Sequence, residues 1–190
     1  MEYIQKVFIH ELGHFVAYEL NHKYYNDDGV AEMTLHPCEK NNHEICGSFR
    51  FINNSNKNNR VPIKRLSEFL AVTIHGCLFQ AYFTEKDWND CMSVNDDIQD
   101  WIGAIVNNQQ DSRHFLSIEN DFFVKLVSEK SLERFSVLKV QDYIKPTFNK
   151  IYTIDVEKLR EDIAVSLEMY YPTYQELINQ YRLKIRYPKA

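Results

Sequence analysis

The apolar segment from Ile4 to Leu20 carries His10-Glu11-Leu12-Gly13-His14 at its centre, and this combination constrains the chain more than any other feature. Ile4, Val7, Phe8, Ile9, Leu12, Phe15, Val16 and Leu20 cover much of a helical circumference, which puts the segment in a core. Imidazole and carboxylate groups buried on such a helix require a partner. Two histidines four residues apart share one helix face, so both can reach a single zinc ion at about 2.0–2.1 Å. Glu11 is offset around the helix. From there it can reach a water on the metal, whose pKa zinc lowers toward roughly 7, without filling the coordination sphere. An exposed helix that merely contains His, Glu and His conflicts with the apolar surroundings.

The rest of the composition narrows the class. With 190 residues, 44% hydrophobic and 26% charged, the chain can bury one real core and is neither disordered nor membrane-embedded in type. No apolar run approaches the roughly 18–20 residues that span a bilayer, and Glu2 and Gln5 break the layout of a signal peptide. A cytoplasmic location is the expectation. Cys38, Cys46, Cys77 and Cys91 are too few and too scattered for a disulfide framework. A net charge of −5 argues against nucleic acid as the main partner. Gly13 and Gly76 fall in helical segments, where glycine costs about 1 kcal/mol relative to alanine, and close backbone packing is a reason for both.

Periodicity orders the elements. A first helix is expected over residues 2–21 and ends in the polar Asn21 to Gly29 region. Val30 to His36, bounded by Gly29 and Pro37, suits an edge strand, and Gly47 to Ile52 alternates as its hairpin partner. The asparagine-rich stretch Asn53 to Asn59 is a surface loop, and Pro62 opens a long apolar helix to about 84. A further helix runs from Ser93 to Val106. Residues 111–190 read as three or four more helices. The division is a core over 1–106 and a helical extension over 107–190, packed as one unit.

A catalytic zinc site takes three protein ligands and leaves a position open. His10 and His14 supply two. Candidates for the third are Glu32, His36, Glu39, His43, Glu44, Glu68, His75, Glu85, Asp96 and Asp97. Helical period separates the last two. Asp97 shares the apolar face of Val94, Trp101, Ala104 and Ile105, whereas Asp96 lies with Asp100, Gly103 and Asn107. A carboxylate on the inward face needs a cation or a pair, so Asp97 is the choice. Against this stands the plainer fact that acidic residues favour the first turn of any helix.

From here the chain resembles the peptidase domain of FtsH-type AAA+ zinc metalloproteases. His10-Glu11-Leu12-Gly13-His14 is similar to that family's HEAGH helix. Met33-Thr34-Leu35-His36-Pro37 resembles the strand that follows it, and Gly47-Ser48-Phe49 the returning segment. Leu70-Ala71-Val72-Thr73-Ile74-His75-Gly76 is similar to the apolar helix running into a Gly-Gly pair. Asn95-Asp96-Asp97-Ile98 resembles the stretch that carries the aspartate ligand, and the alignment again selects Asp97. The match covers residues 1 to about 106. It departs where His75 replaces a glycine and Cys77 and Gln80 replace the usual Arg and Glu. The family's ATPase module has no counterpart here, since nine residues precede His10, so unfolded or extended peptides are the implied substrates. An ATPase acting in trans, or an oligomeric partner, is left open.

The resulting expectation is an α+β, mostly α fold with a zincin-like helical core and a small hairpin or three-stranded edge sheet. Its expected activity is zinc-dependent hydrolysis of peptide bonds, with His10, His14 and Asp97 holding Zn²⁺ and Glu11 as general base. Two alternatives remain. One takes Glu68 as third ligand, as in compact regulatory peptidases. The other is a relative that binds peptides without cleaving them. His36, Cys38, His43 and Cys46 form an H-x-C-x4-H-x2-C array that could hold a second, structural zinc, although an ordinary polar loop explains it better. His75 is read as a core histidine satisfied by a backbone carbonyl, or else as a partner of the site. Tyr170, Tyr171 and Tyr174 around Pro172 could offer an oxyanion donor but are read first as an aromatic helical junction, and Trp88 and Trp101 as core.

Overall fold

A computed structural model describes residues 2–38, 44–53, 61–84, 86–93, 96–145 and 151–186. Glu39, His43, Glu85, Val94, Asn95 and most of the asparagine-rich loop therefore lie outside the described residues. The chain is mostly helical with one small antiparallel sheet, as expected. Helix α1 spans Glu2–Tyr25, β1 Val30–Pro37 and β2 Ile45–Phe51. A 3₁₀ turn at Ile63–Arg65 leads into α2, Leu66–Phe83. Then come α3 (Trp88–Cys91), α4 (Asp96–Asn107), α5 (Ser112–Ser128), β3 (Tyr152–Ile154) and α6 (Val156–Lys184).

Helix α2 is buried at nearly every position from Leu66 to Phe79, which follows from a sequence apolar on all sides. α1 packs along it, and the contact is close because two glycines meet there. A β-carbon on Gly13 would stand 2.1 Å from the His75 carbonyl oxygen, so no larger residue fits without parting the helices. The backbone-packing reason expected for both glycines is the one observed at Gly13, whereas a β-carbon on Gly76 would meet the imidazoles of His10 and His14.

Sheet order is β2-β1-β3. Val30 to His36, expected at the edge, is instead the central strand. The cause is β3, which pairs Ile154 with Met33 and Tyr152 with Leu35 and comes from a region that reads as purely helical. The edges belong to β2 and β3. Met33 and Leu35 are buried, while Thr34 meets Ser48 and Glu32 meets Arg50 on the opposite face. In β2 the residues turned toward α1 are Gly47, Phe49 and Phe51. The Cys38 N–H donates to the Glu44 carbonyl at 2.9 Å, and antiparallel alternation from that pair bonds Cys46 and Ser48 to β1. The main-chain N–H and C=O of Gly47 and Phe49 therefore point outward, away from the sheet.

The C-terminal half closes the core. α6 runs unbroken through Pro172, where the sequence suggests a junction. Proline removes one helical hydrogen bond at a cost of about 3 kcal/mol, and the buried residues on either side outweigh it. Tyr170 lies against His75, and the Tyr174 hydroxyl donates to Asn21 at 2.7 Å. Glu119 of α5, with no exposed surface, accepts from the Trp101 indole at 2.6 Å and the Tyr181 hydroxyl at 2.7 Å. That link ties α4 to α5 and α6.

Candidate functional site

Three acceptor atoms converge where α1, α2 and α4 meet. His10 Nε2 and His14 Nε2 are 3.1 Å apart, one turn from each other on α1. Asp97 Oδ2 enters from the first turn of α4, 2.9 Å from His10 Nε2 and 3.4 Å from His14 Nε2. Tetrahedral ligands at about 2.0–2.1 Å from a zinc ion stand roughly 3.3 Å from one another, so the triangle has the right size. His10, His14 and Asp97 would together hold a divalent cation such as zinc. Among the described residues this is the one group of three or more His, Cys, Asp or Glu side chains spaced to hold a metal ion.

Neighbouring backbone fixes the geometry. The His14 Nδ1–H donates to the Val72 carbonyl at 2.8 Å, which leaves Nε2 with a free lone pair directed into the cluster. Gly76 makes room for both imidazoles: a β-carbon there would stand 2.4 Å from His14 Nε2 and 2.7 Å from His10 Nε2. Glu11 is buried at the cluster's flank, its carboxyl lying against Gly47 of β2, where a β-carbon would come 2.1 Å from Cδ.

Electrostatics show what the cluster demands. Burial alone disfavours a charged His14. The hydrogen bond and charge of Asp97, with help from Glu11 and the Val72 carbonyl, overcome that and raise its pKa to about 9. Burial likewise favours a neutral Asp97, yet hydrogen bonds and charges from His10 and His14 hold its carboxyl well below the usual carboxylate range. Three lone-pair donors this close draw positive charge between them, and either a proton or a divalent cation answers that demand.

The other expected candidates fall elsewhere. Glu68 is not a ligand: its carboxylate accepts from Arg182 at 2.5 Å and from Ser67 at 2.7 Å, and its carbonyl accepts from Asn21, two turns of α1 beyond His14. A buried carboxylate already paired with a guanidinium has no need of zinc. Asp96 is exposed, and Glu32 pairs with Arg50. Glu44 is exposed and lies at the start of the hairpin's returning strand. His36 lies beside its own Pro37 carbonyl at 3.0 Å. The four-residue second zinc site is overturned as well, because Cys38 and Cys46 form a disulfide across the hairpin, with His43 outside the described residues. That bond joins two of the four cysteines read as too few and too scattered for a disulfide framework, and Cys77 and Cys91 stay outside it.

His75 is the core histidine expected. It has no exposed surface, and its Nδ1–H donates to the Ala71 carbonyl at 2.5 Å while Nε2 accepts from the Tyr170 hydroxyl at 3.1 Å. Burial depresses its pKa to about 3 and keeps it neutral. Two contributors escaped sequence reasoning. The Val72 carbonyl carries no residue-type signal at all, and Gly47 read only as the start of a strand. No described helix is long and apolar enough to cross a membrane. Comparison of the chain with family models, with curated proteins and with solved structures finds no match.

Proposed function

We propose that this chain is a zinc-dependent metallopeptidase acting on extended or unfolded peptides, with an FtsH-like peptidase core. The observation that carries the reading is the convergence of His10, His14 and Asp97 on one point, with Glu11 beside it. The residues fit the ion in two ways. The donor set is two imidazoles and a carboxylate, and His14 is oriented from behind by a carbonyl. Zinc held there supplies Lewis-acid polarisation of a peptide carbonyl and an acidified water.

The chain's own residues supply the rest. Glu11, pinned against Gly47, accepts the proton of the attacking water and returns it to the leaving amine nitrogen. Asp97 would balance the ion's charge and ties α4 to α1 through the two histidines. The free edge of β2, not β1, offers the outward N–H and C=O of Gly47 and Phe49 to an extended chain, which pairs with them as a fourth strand. This register places a peptide bond beside Glu11, because Gly47 and Glu11 are in contact.

Metal content tests the site, and a base substitution tests the chemistry. Purified wild type should carry one zinc per chain. His14→Ala and Asp97→Ala should lose it, while Glu68→Gln should keep it. Glu11→Gln should retain zinc and cleave peptide libraries about 10²–10⁴-fold more slowly. Zinc-free wild type would end the metal reading. Equal turnover by Glu11→Gln would leave a binding protein in place of a hydrolase.

A further inference from the structure

We infer that Tyr18 is a further catalytic residue, its phenol donating a hydrogen bond to the carbonyl oxygen of the peptide bond under attack. The inference rests on the peptidase reading and deepens it.

The helical wheel supplies the first argument. At about 100° per residue, His14 lies roughly 40° around α1 from His10, Tyr18 roughly 80° and Glu11 roughly 100°. Tyr18 thus falls in azimuth between the second imidazole and the glutamate, one turn beyond His14. Side chains on a helix lean toward its N-terminus, so the phenol leans back toward the cluster.

Packing supplies the second. The Tyr18 ring lies edge-on to Phe49 at 5.3 Å and to Phe51 at 4.8 Å, and Phe49 in turn lies edge-on to His14 at 6.4 Å. Those phenylalanines belong to β2, the strand whose free edge is the proposed peptide platform. Tyr18 is therefore held between α1 and β2, in an orientation set by both phenylalanines, so a donor there costs little to reorganise during reaction.

The third argument is electrostatic. Burial, with the charges of Glu11 and Asp97, keeps the Tyr18 hydroxyl protonated far above neutral pH. It is a donor at every working pH. Glu11 and Asp97, together with Asp27 and Asp100, are the charges that act on it. A donor gains most where negative charge develops, which is on the carbonyl oxygen as water adds.

Tyr18→Phe tests this cleanly, since it removes one oxygen and keeps the ring between Phe49 and Phe51. We expect kcat on a peptide cleaved by the wild type to fall 10- to 100-fold with KM within twofold. Zinc stoichiometry and the urea midpoint should not move. Affinity for a phosphonamidate peptide, which mimics the tetrahedral oxyanion, should fall by a similar factor. Turnover within twofold of wild type overturns the assignment and leaves the peptidase reading intact. A loss of kcat that tracks a fall in the urea midpoint makes the phenol structural and also overturns it. If wild type and Glu11→Gln are equally inert, the peptidase reading fails and Tyr18 falls with it.

Discussion

Gly13→Ala is expected to destabilise the chain by about 3 kcal/mol or more, although alanine in an open helix gains about 1 kcal/mol over glycine. The reason is the atom that the new methyl would meet. It would stand 2.1 Å from the His75 carbonyl oxygen and 2.6 Å from its carbon, both backbone of the facing helix. Backbone cannot rotate away as a side chain can, so α1 and α2 must separate along their whole contact. At roughly 2–4 °C per kcal/mol for a chain of this size, the melting temperature should fall by about 10 °C. Gly76→Ala should behave differently. Its methyl would meet His14 Nε2 at 2.4 Å and His10 Cε1 at 2.7 Å, which are side-chain atoms that can swing aside. Stability should fall less and zinc affinity more. Gly103→Ala is the control, with no atom within 4 Å of its β-carbon, and should be neutral or stabilising. A Gly13→Ala protein as stable as Gly103→Ala would refute the close crossing of the two helices.

How much of this arrangement was legible depends on whether the information is periodic or distant. The period of 3.6 put His10, His14 and Asp97 on faces that the structure brings together, because an inward face repeats in sequence. It also separated Asp97 from Asp96, and the buried Ile98, Trp101, Ala104 and Ile105 confirm which face of α4 is inward. Gly13 and Gly76 were legible as packing glycines since nothing local rewards glycine inside a helix. What failed was non-local. Three residues, Tyr152 to Ile154, are too short to announce a strand, yet they turn β1 from edge to centre. The Cys38–Cys46 bond depends on the hairpin register, which a count of four cysteines does not contain. Pro172 misled because proline's rule is local, whereas Tyr170 and Tyr174 are held by His75 and Asn21 from other helices. Glu68 was a fair candidate until Arg182, more than a hundred residues on, met it.

Glu119→Gln should stabilise the metal-free protein at pH 8 by a few kcal/mol while leaving it little changed at pH 5. Desolvation by burial is the largest influence on this carboxyl, and the opposing hydrogen bonds from Tyr181 and Trp101 leave its pKa raised to about 8 from an ordinary 4.5. Both bonds go to Oε1, and Oε2 is buried with no hydrogen-bond partner among the described residues, so the ionised form is poorly held. The sign follows from proton counting. Below pH 4.5 both folded and unfolded chains carry the proton and nothing is lost. Between 4.5 and about 8 the unfolded chain releases it and the folded chain keeps it, so stability falls with rising pH at up to about 1.4 kcal/mol per unit. Glutamine cannot ionise and still presents an oxygen to Trp101 and Tyr181, so its curve should lack that slope. His14 adds its own decline, present below pH 6.5 and lost through about 9, but it is common to both proteins and cancels in the difference. Glu119→Leu separates charge from bonding. It strips the indole and phenol of their acceptor and should be destabilising by about 1–3 kcal/mol for each donor left unpaired, at every pH. Urea titrations at pH 5, 6.5 and 8 provide the comparison. A wild-type minus Gln difference that stays constant across them would show that Glu119 is ionised throughout, with its charge compensated.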